Sequence, residues 1–188
     1  MTDEFVFTFD PETLREIYAD ATAGQTRIAE LRDEVRDAPD VIAELVARGE
    51  LVTLLRVSGA LDEALDEARR AADRAEIDGN RAQQHMTRLR LAQVHQWRGE
   101  FADSNLIVTE LLAASGQFGP VIEAVTHQHA GLNDYDQGHW ADARDHFARA
   151  AALRDELELE DGEPAESHAA LAAAIRHLES DEQSETGQ

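Results

Sequence analysis

The chain has 188 residues, 43% of them hydrophobic, which is enough to bury a core as one domain or a short repeat array. Asp and Glu number 39 against 17 cations, all Arg, for a formal charge of −22, which disfavours nucleic acid and anionic membrane surfaces as partners. Cys is absent, so disulfides, thiolate nucleophiles and Cys-based metal sites are excluded together.

The opening MTDEFVFTFD has neither a basic n-region nor an apolar h-region, so no signal peptide is expected. No apolar run approaches the roughly 20 residues that cross a bilayer, and a cytoplasmic location is the expectation. Phe5, Val6, Phe7, Thr8 and Phe9 form the one short alternating stretch. Beyond it, apolar residues recur at helical spacing almost everywhere. Asp10-Pro11 predicts the start of a first helix, interrupted at Gly24, with a second running to about Arg36. Pro39-Asp40 opens a third, ended by Ser58-Gly59, and residues 61–77 form a fourth, stopped by Asp78-Gly79-Asn80. Residues 81–98 and 101–115 make the next pair. Gly119-Pro120 opens another helix, ending near Gly138, followed by residues 140–157. Gly162 and Pro164 precede a last helix at 165–178, and the polar tail 179–188 is expected to fray. About nine helices joined by short connections imply antiparallel neighbours.

The absence of Lys and the abundance of Ala fit a GC-rich genome, which does not explain the charge. A halophilic cytoplasm does, because densely spaced carboxylates repel one another less when the Debye length is about 3 Å at molar salt. On that reading the melting temperature rises from millimolar to molar KCl. A flat or falling trend removes it.

Three segments align without gaps: Gly59-Ala60-Leu61-Asp62-Glu63-Ala64, Gly99-Glu100-Phe101-Ala102-Asp103-Ser104 and Gly138-His139-Trp140-Ala141-Asp142-Ala143. Each reads Gly, any residue, a large apolar residue, any residue, an acid, then a small residue. The Gly suits the left-handed end of a helix, and the acid faces the positive end of the next helix dipole. The small residue allows two backbones to approach. The register persists downstream in Ala68, Val108 and Phe147 and in Ala71, Leu111 and Ala150. It persists upstream in Val52, Ala92 and Gly131.

This pattern resembles the tetratricopeptide repeat, a helix–turn–helix unit of 34 residues in its usual form, here extended to about 40. Arg48, Arg88 and His127 stand where that family has its first-helix Trp, and the closing Pro is missing or displaced to Pro120 and Pro164. The resemblance implies an all-α, right-handed α-α superhelix, a helical-hairpin solenoid with capping helices. Residues 1–40 would be N-terminal capping helices or a degenerate repeat. Three repeats would follow at 41–80, 81–118 and 119–160, then a capping helix at 164–180 and a disordered acidic tail at 181–188. A generic antiparallel bundle is the plainer alternative.

Catalytic signatures are absent: there is no G-x-S-x-G, P-loop, G-x-G-x-x-G or H-E-x-x-H. His127 and His129 point to different faces of one helix, and His85 and His95 are about three turns apart. Asp134, Asp136 and Gly138 resemble a calcium loop only faintly. No catalytic residue, cofactor or metal is expected. The resemblance implies recognition of a protein or peptide through first helices, with Arg56, Met86, Leu89, Arg90, Gln93, Trp97, His129, Leu132 and Tyr135 in the groove. The set is rich in the aromatic and Arg anchors that favour hot spots. Val46, Gly49, Thr53, Val57, Gln96, Val125 and Gln128 accompany them. Trp97→Ala and Tyr135→Ala are then expected to weaken partner binding and leave helicity intact. The carboxylate clamp of chaperone-tail adaptors is not built, since only Arg90 among the matching positions could serve, which leaves a single-carboxylate contact through Arg90 open. Self-association, as a homodimer, is the second reading, and an enzyme or metal protein the third.

Overall fold

The computed structural model describes residues 7–157 and 163–186. Gly162, expected to punctuate the chain, lies outside them, as do Phe5 and Val6. The described residues form an all-α chain of eight α-helices, with one 3-10 turn and one small β-hairpin.

The first difference from the sequence reading is at the N-terminal end. Where Pro11 predicts a helix, the chain makes an antiparallel hairpin of β1 (Phe7–Phe9) and β2 (Glu16–Tyr18), with Phe7 opposite Tyr18. Asp10 N–H donates to Arg15 C=O at 2.9 Å, and Leu14 takes a left-handed φ of 56°. Phe, Ile and Tyr on both flanks favour a pleated pair over a helix. The local Asp-Pro signal is therefore spent on a turn.

Helix α1 (Ala21–Arg36) starts ten residues later than Pro11 predicts, capped by Asp20, whose Oδ1 accepts from Thr22 and Ala23 N–H. Gly24 does not interrupt it. A Cβ there would sit 3.2 Å from the Tyr18 ring, so this glycine seats an aromatic side chain. The Tyr18 hydroxyl donates to Leu54 C=O at 2.5 Å, and burial pushes the phenol up to about 12.

The next helices fall where the breakers place them: α2 (Val41–Val57), α3 (Leu61–Asp78), α4 (Arg81–Trp97) and α5 (Phe101–Ser115). Asp40 caps α2, and Asn80 and Gln83 form a reciprocal capping box on α4. After the 3-10 turn Gly116–Phe118 come α6 (Pro120–Asp136), α7 (Trp140–Glu156) and α8 (Glu163–Thr186). The last helix continues through Thr186 rather than fraying at 179. No Gly or Pro stands between Pro164 and Gly187, and the Ser180 and Ser184 hydroxyls donate to carbonyls one turn back.

The chain divides into two compact units. In the first, which holds the hairpin strands and residues 15–104, Ile28, Leu31, Leu51, Val52, Leu54, Leu55 and Val94 make the core. In the second, Pro11–Leu14 and residues 105–188, the core gathers Leu14, Tyr135, Phe147, Ala170, Ala173 and Ala174.

The three aligned turns have one geometry. Gly59, Gly99 and Gly138 have φ of 80°, 74° and 75°, where a Cβ is strained. The N–H after each glycine donates to the carbonyl five residues back, Ala60 to Leu55, Glu100 to His95 and His139 to Asp134, at 2.9 to 3.0 Å. Each glycine N–H reaches the carbonyl three back. This is the Schellman closure, which satisfies carbonyls the helix end leaves open. Ala64, Ser104 and Ala143, the small residues of the pattern, are all fully buried. In the α6–α7 hairpin the close approach is made by Gly131, where a Cβ would lie 2.6 Å from the ring of the fully buried Phe147.

Candidate functional site

Helix α2 presents Val46, Gly49 and Thr53 on one face, at positions i, i+3 and i+7. Helix α4 presents Gln83, Met86 and Arg90 with the same spacing. The two faces, with Phe7 of β1, enclose a pocket of about 540 Å³ in the first unit. Leu45, Leu54 and Ala82 add apolar wall, and Asn80, Thr87 and Glu50 add polar edges. Of the groove residues expected from sequence, Met86 and Arg90 are here, with Val46, Gly49 and Thr53.

Arg90 is the unusual member. Its guanidinium lies against the backbone of Gly49, where a Cβ would be 2.8 Å from Arg90 Cζ. No carboxylate among the described residues pairs with it, and burial, then the neighbouring Arg56, lowers its pKa. The other nearby charges are taken. Glu50 holds Arg27 through two contacts of 2.8 and 2.9 Å. Arg56 is buried and binds both carboxylate oxygens of Glu16, at 2.6 and 3.0 Å.

The remaining expected groove residues are placed differently. Leu89 is fully buried, and Gln93 is buried too. Trp97 has the Arg56 and Arg15 guanidinium groups over its ring, 4.6 and 5.1 Å from the centroid. Arg56 and Trp97 thus tie β2 to α2 and α4. His129, Leu132 and Tyr135 belong to the second unit. Tyr135 is a core residue rather than a groove residue, 4% exposed, donating to Glu12 C=O at 2.9 Å and bonded to His177 Nε2 at 2.9 Å. Its ring meets Trp140 edge-on at 4.8 Å, and Trp140 stacks on His177 at 4.1 Å. Tyr135→Ala is therefore expected to disturb the α6–α7–α8 core, not to leave helicity intact. Sequence reasoning missed Phe7, Leu45 and Glu50 in the pocket wall. The hairpin that delivers Phe7 gave only a short alternating stretch as signal.

Two clusters of titratable groups lie elsewhere. Among the described residues, His95, Glu100 and Asp103 bring three ligand atoms within 4.8 Å of one another. Glu100 is already engaged by Arg98 Nε and His95 Nδ1, both at 2.7 Å, which hold its carboxyl below the usual range. In the second unit His127 and His146 share a 2.9 Å Nδ1–Nδ1 hydrogen bond between α6 and α7, so one ring donates to the other. Burial, then His146, lowers the His127 pKa, against the opposing pull of Glu123. A group held below its unfolded value makes folding weaker as the pH falls through the ordinary histidine range near about 6.5. The urea midpoint is therefore expected to drop from pH 7.5 to 5.5, and His127→Gln to shrink that drop. An unchanged drop in the variant assigns the effect to other groups.

No helix among the described residues is long and apolar enough to cross a membrane. No protein-family model matches this chain, and a search of curated proteins finds no match either.

Proposed function

We propose that the chain is a non-catalytic binding scaffold of tetratricopeptide-like hairpins, which holds an amphipathic protein segment against the exposed face of α2. Ile42 and Val46, one turn apart on α2, are 59% and 67% exposed and lead into the pocket shared with α4, and this observation carries the reading. Adjacent exposed aliphatic side chains beside an open cavity suit a helix laid apolar side down. The common Schellman turns at Gly59, Gly99 and Gly138 support the repeat reading.

The test is affinity capture from native lysate at high salt with the wild type and with Ile42→Asp/Val46→Asp, both checked for helicity by circular dichroism. The expected result is a protein enriched by the wild type and depleted about tenfold or more with the variant. Identical captures from two folded baits overturn the assignment to α2.

A further inference from the structure

The interior of the α2–α4 pocket carries a second and separate message. Its charge balance is the reverse of the whole chain. The molecule bears −22, yet the unpaired charge in this wall is the cation Arg90, since Glu50 is spent on Arg27. Most other Arg side chains described bind a carboxylate at close range: Arg27, Arg32, Arg36, Arg48, Arg56, Arg70, Arg74, Arg98, Arg144 and Arg149. A largely buried Arg that no carboxylate among the described residues pairs with suits an external anion.

The wall also limits what else the occupant carries. Thr53 and Thr87 donate their hydroxyls to carbonyls one turn back on their own helices, and Asn80 and Gln83 close on each other in the capping box. Phe7, Leu45, Val46, Leu54 and Met86 supply the rest. A peptide backbone brings a donor and an acceptor at every residue, which this wall matches poorly. A single anionic head on an apolar body fits, and the volume falls in the range of small-molecule sites. Extra negative charge on the ligand is opposed by the field of the chain.

We propose that the pocket binds a small apolar monocarboxylic acid, with its carboxylate on the Arg90 guanidinium and its aliphatic or aromatic body against Met86, Leu54 and Phe7. Gly49 is the positioning residue, because its missing Cβ leaves room for the guanidinium. This inference goes beyond partner binding on α2 and does not need it.

The experiment is calorimetric titration of the full chain at fixed KCl with 4-methylpentanoate, hexanoate and 3-phenylpropanoate, each against its neutral primary amide. The expected result is saturable binding of at least one acid, about tenfold or more tighter than its amide. Arg90→Met abolishes the difference, and Gly49→Ala weakens the acid while leaving the circular dichroism unchanged. Met86→Trp fills the pocket and removes binding by a route independent of charge. Equal binding of acid and amide overturns the proposal, as does the absence of any binding. Binding confined to peptides with a free C-terminus, with no response to the free acids, overturns it in favour of a chain end. Loss of partner capture by Ile42→Asp, a change outside the pocket wall, with acid binding intact separates this site from the scaffold reading.

Discussion

Gly131→Ala is expected to destabilise the protein by about 2 kcal/mol, although Gly to Ala inside an exposed helix gains about 1 kcal/mol. The new methyl would lie 2.6 Å from two ring carbons of Phe147, which is fully buried and has nowhere to retreat. At the aligned sequence positions one repeat earlier the chain carries Ala92 and Val108, the first larger than Gly131 and the second smaller than Phe147. Phe147→Val alone leaves a cavity and costs about 2 to 4 kcal/mol. The double variant Gly131→Ala/Phe147→Val restores that Ala–Val combination, so its loss is expected to fall well short of the sum of the two singles. Urea denaturation of the four proteins measures the coupling. Additive losses, or a stabilising Gly131→Ala, show that the hairpin is not packed through this contact.

That pairing also marks where the sequence is readable. Gly59, Gly99 and Gly138 are visible because a left-handed helix end has one favoured residue, and the acids and small residues around them follow from dipole and packing. Helices α2 to α7 are bounded by breakers that act locally, so their limits are legible to within a residue or two. The hairpin is not. Asp10-Pro11 is a valid helix start in isolation, and only the distant seats for Tyr18 against Gly24 and Leu54 decide otherwise. The same limit applies to the pocket. Helical spacing puts Met86 and Arg90 on one face with the correct opposite residues of α2. It does not reveal that Arg27 neutralises Glu50, or that Tyr135 and Leu89 turn inward, because those depend on which neighbour each face meets.

The second large effect is expected at Arg56. It is 3% exposed, grips Glu16 with both terminal nitrogens and covers Trp97, so it holds β2 onto α2 and α4. Arg56→Met removes the bidentate partner of a largely buried carboxylate, and removing one member of such a pair costs about 3 to 5 kcal/mol. Glu16→Gln is expected to cost a similar amount, by leaving the buried cation uncompensated. The pair itself is far less valuable than either single loss suggests. Both charges are taken out of water, and Arg56 Nε is buried with no hydrogen-bond partner among the described residues, so the interaction is incompletely satisfied. Arg56→Met/Glu16→Met is therefore expected to return to within about 1 kcal/mol of the wild type, since an apolar pair of similar volume avoids the desolvation of both ions. Urea midpoints of the wild type, the two singles and the double decide the matter. Singles that cost nothing remove the pair as the fastening of the hairpin, and a double as weak as the singles shows that the charges, not the packing, hold it.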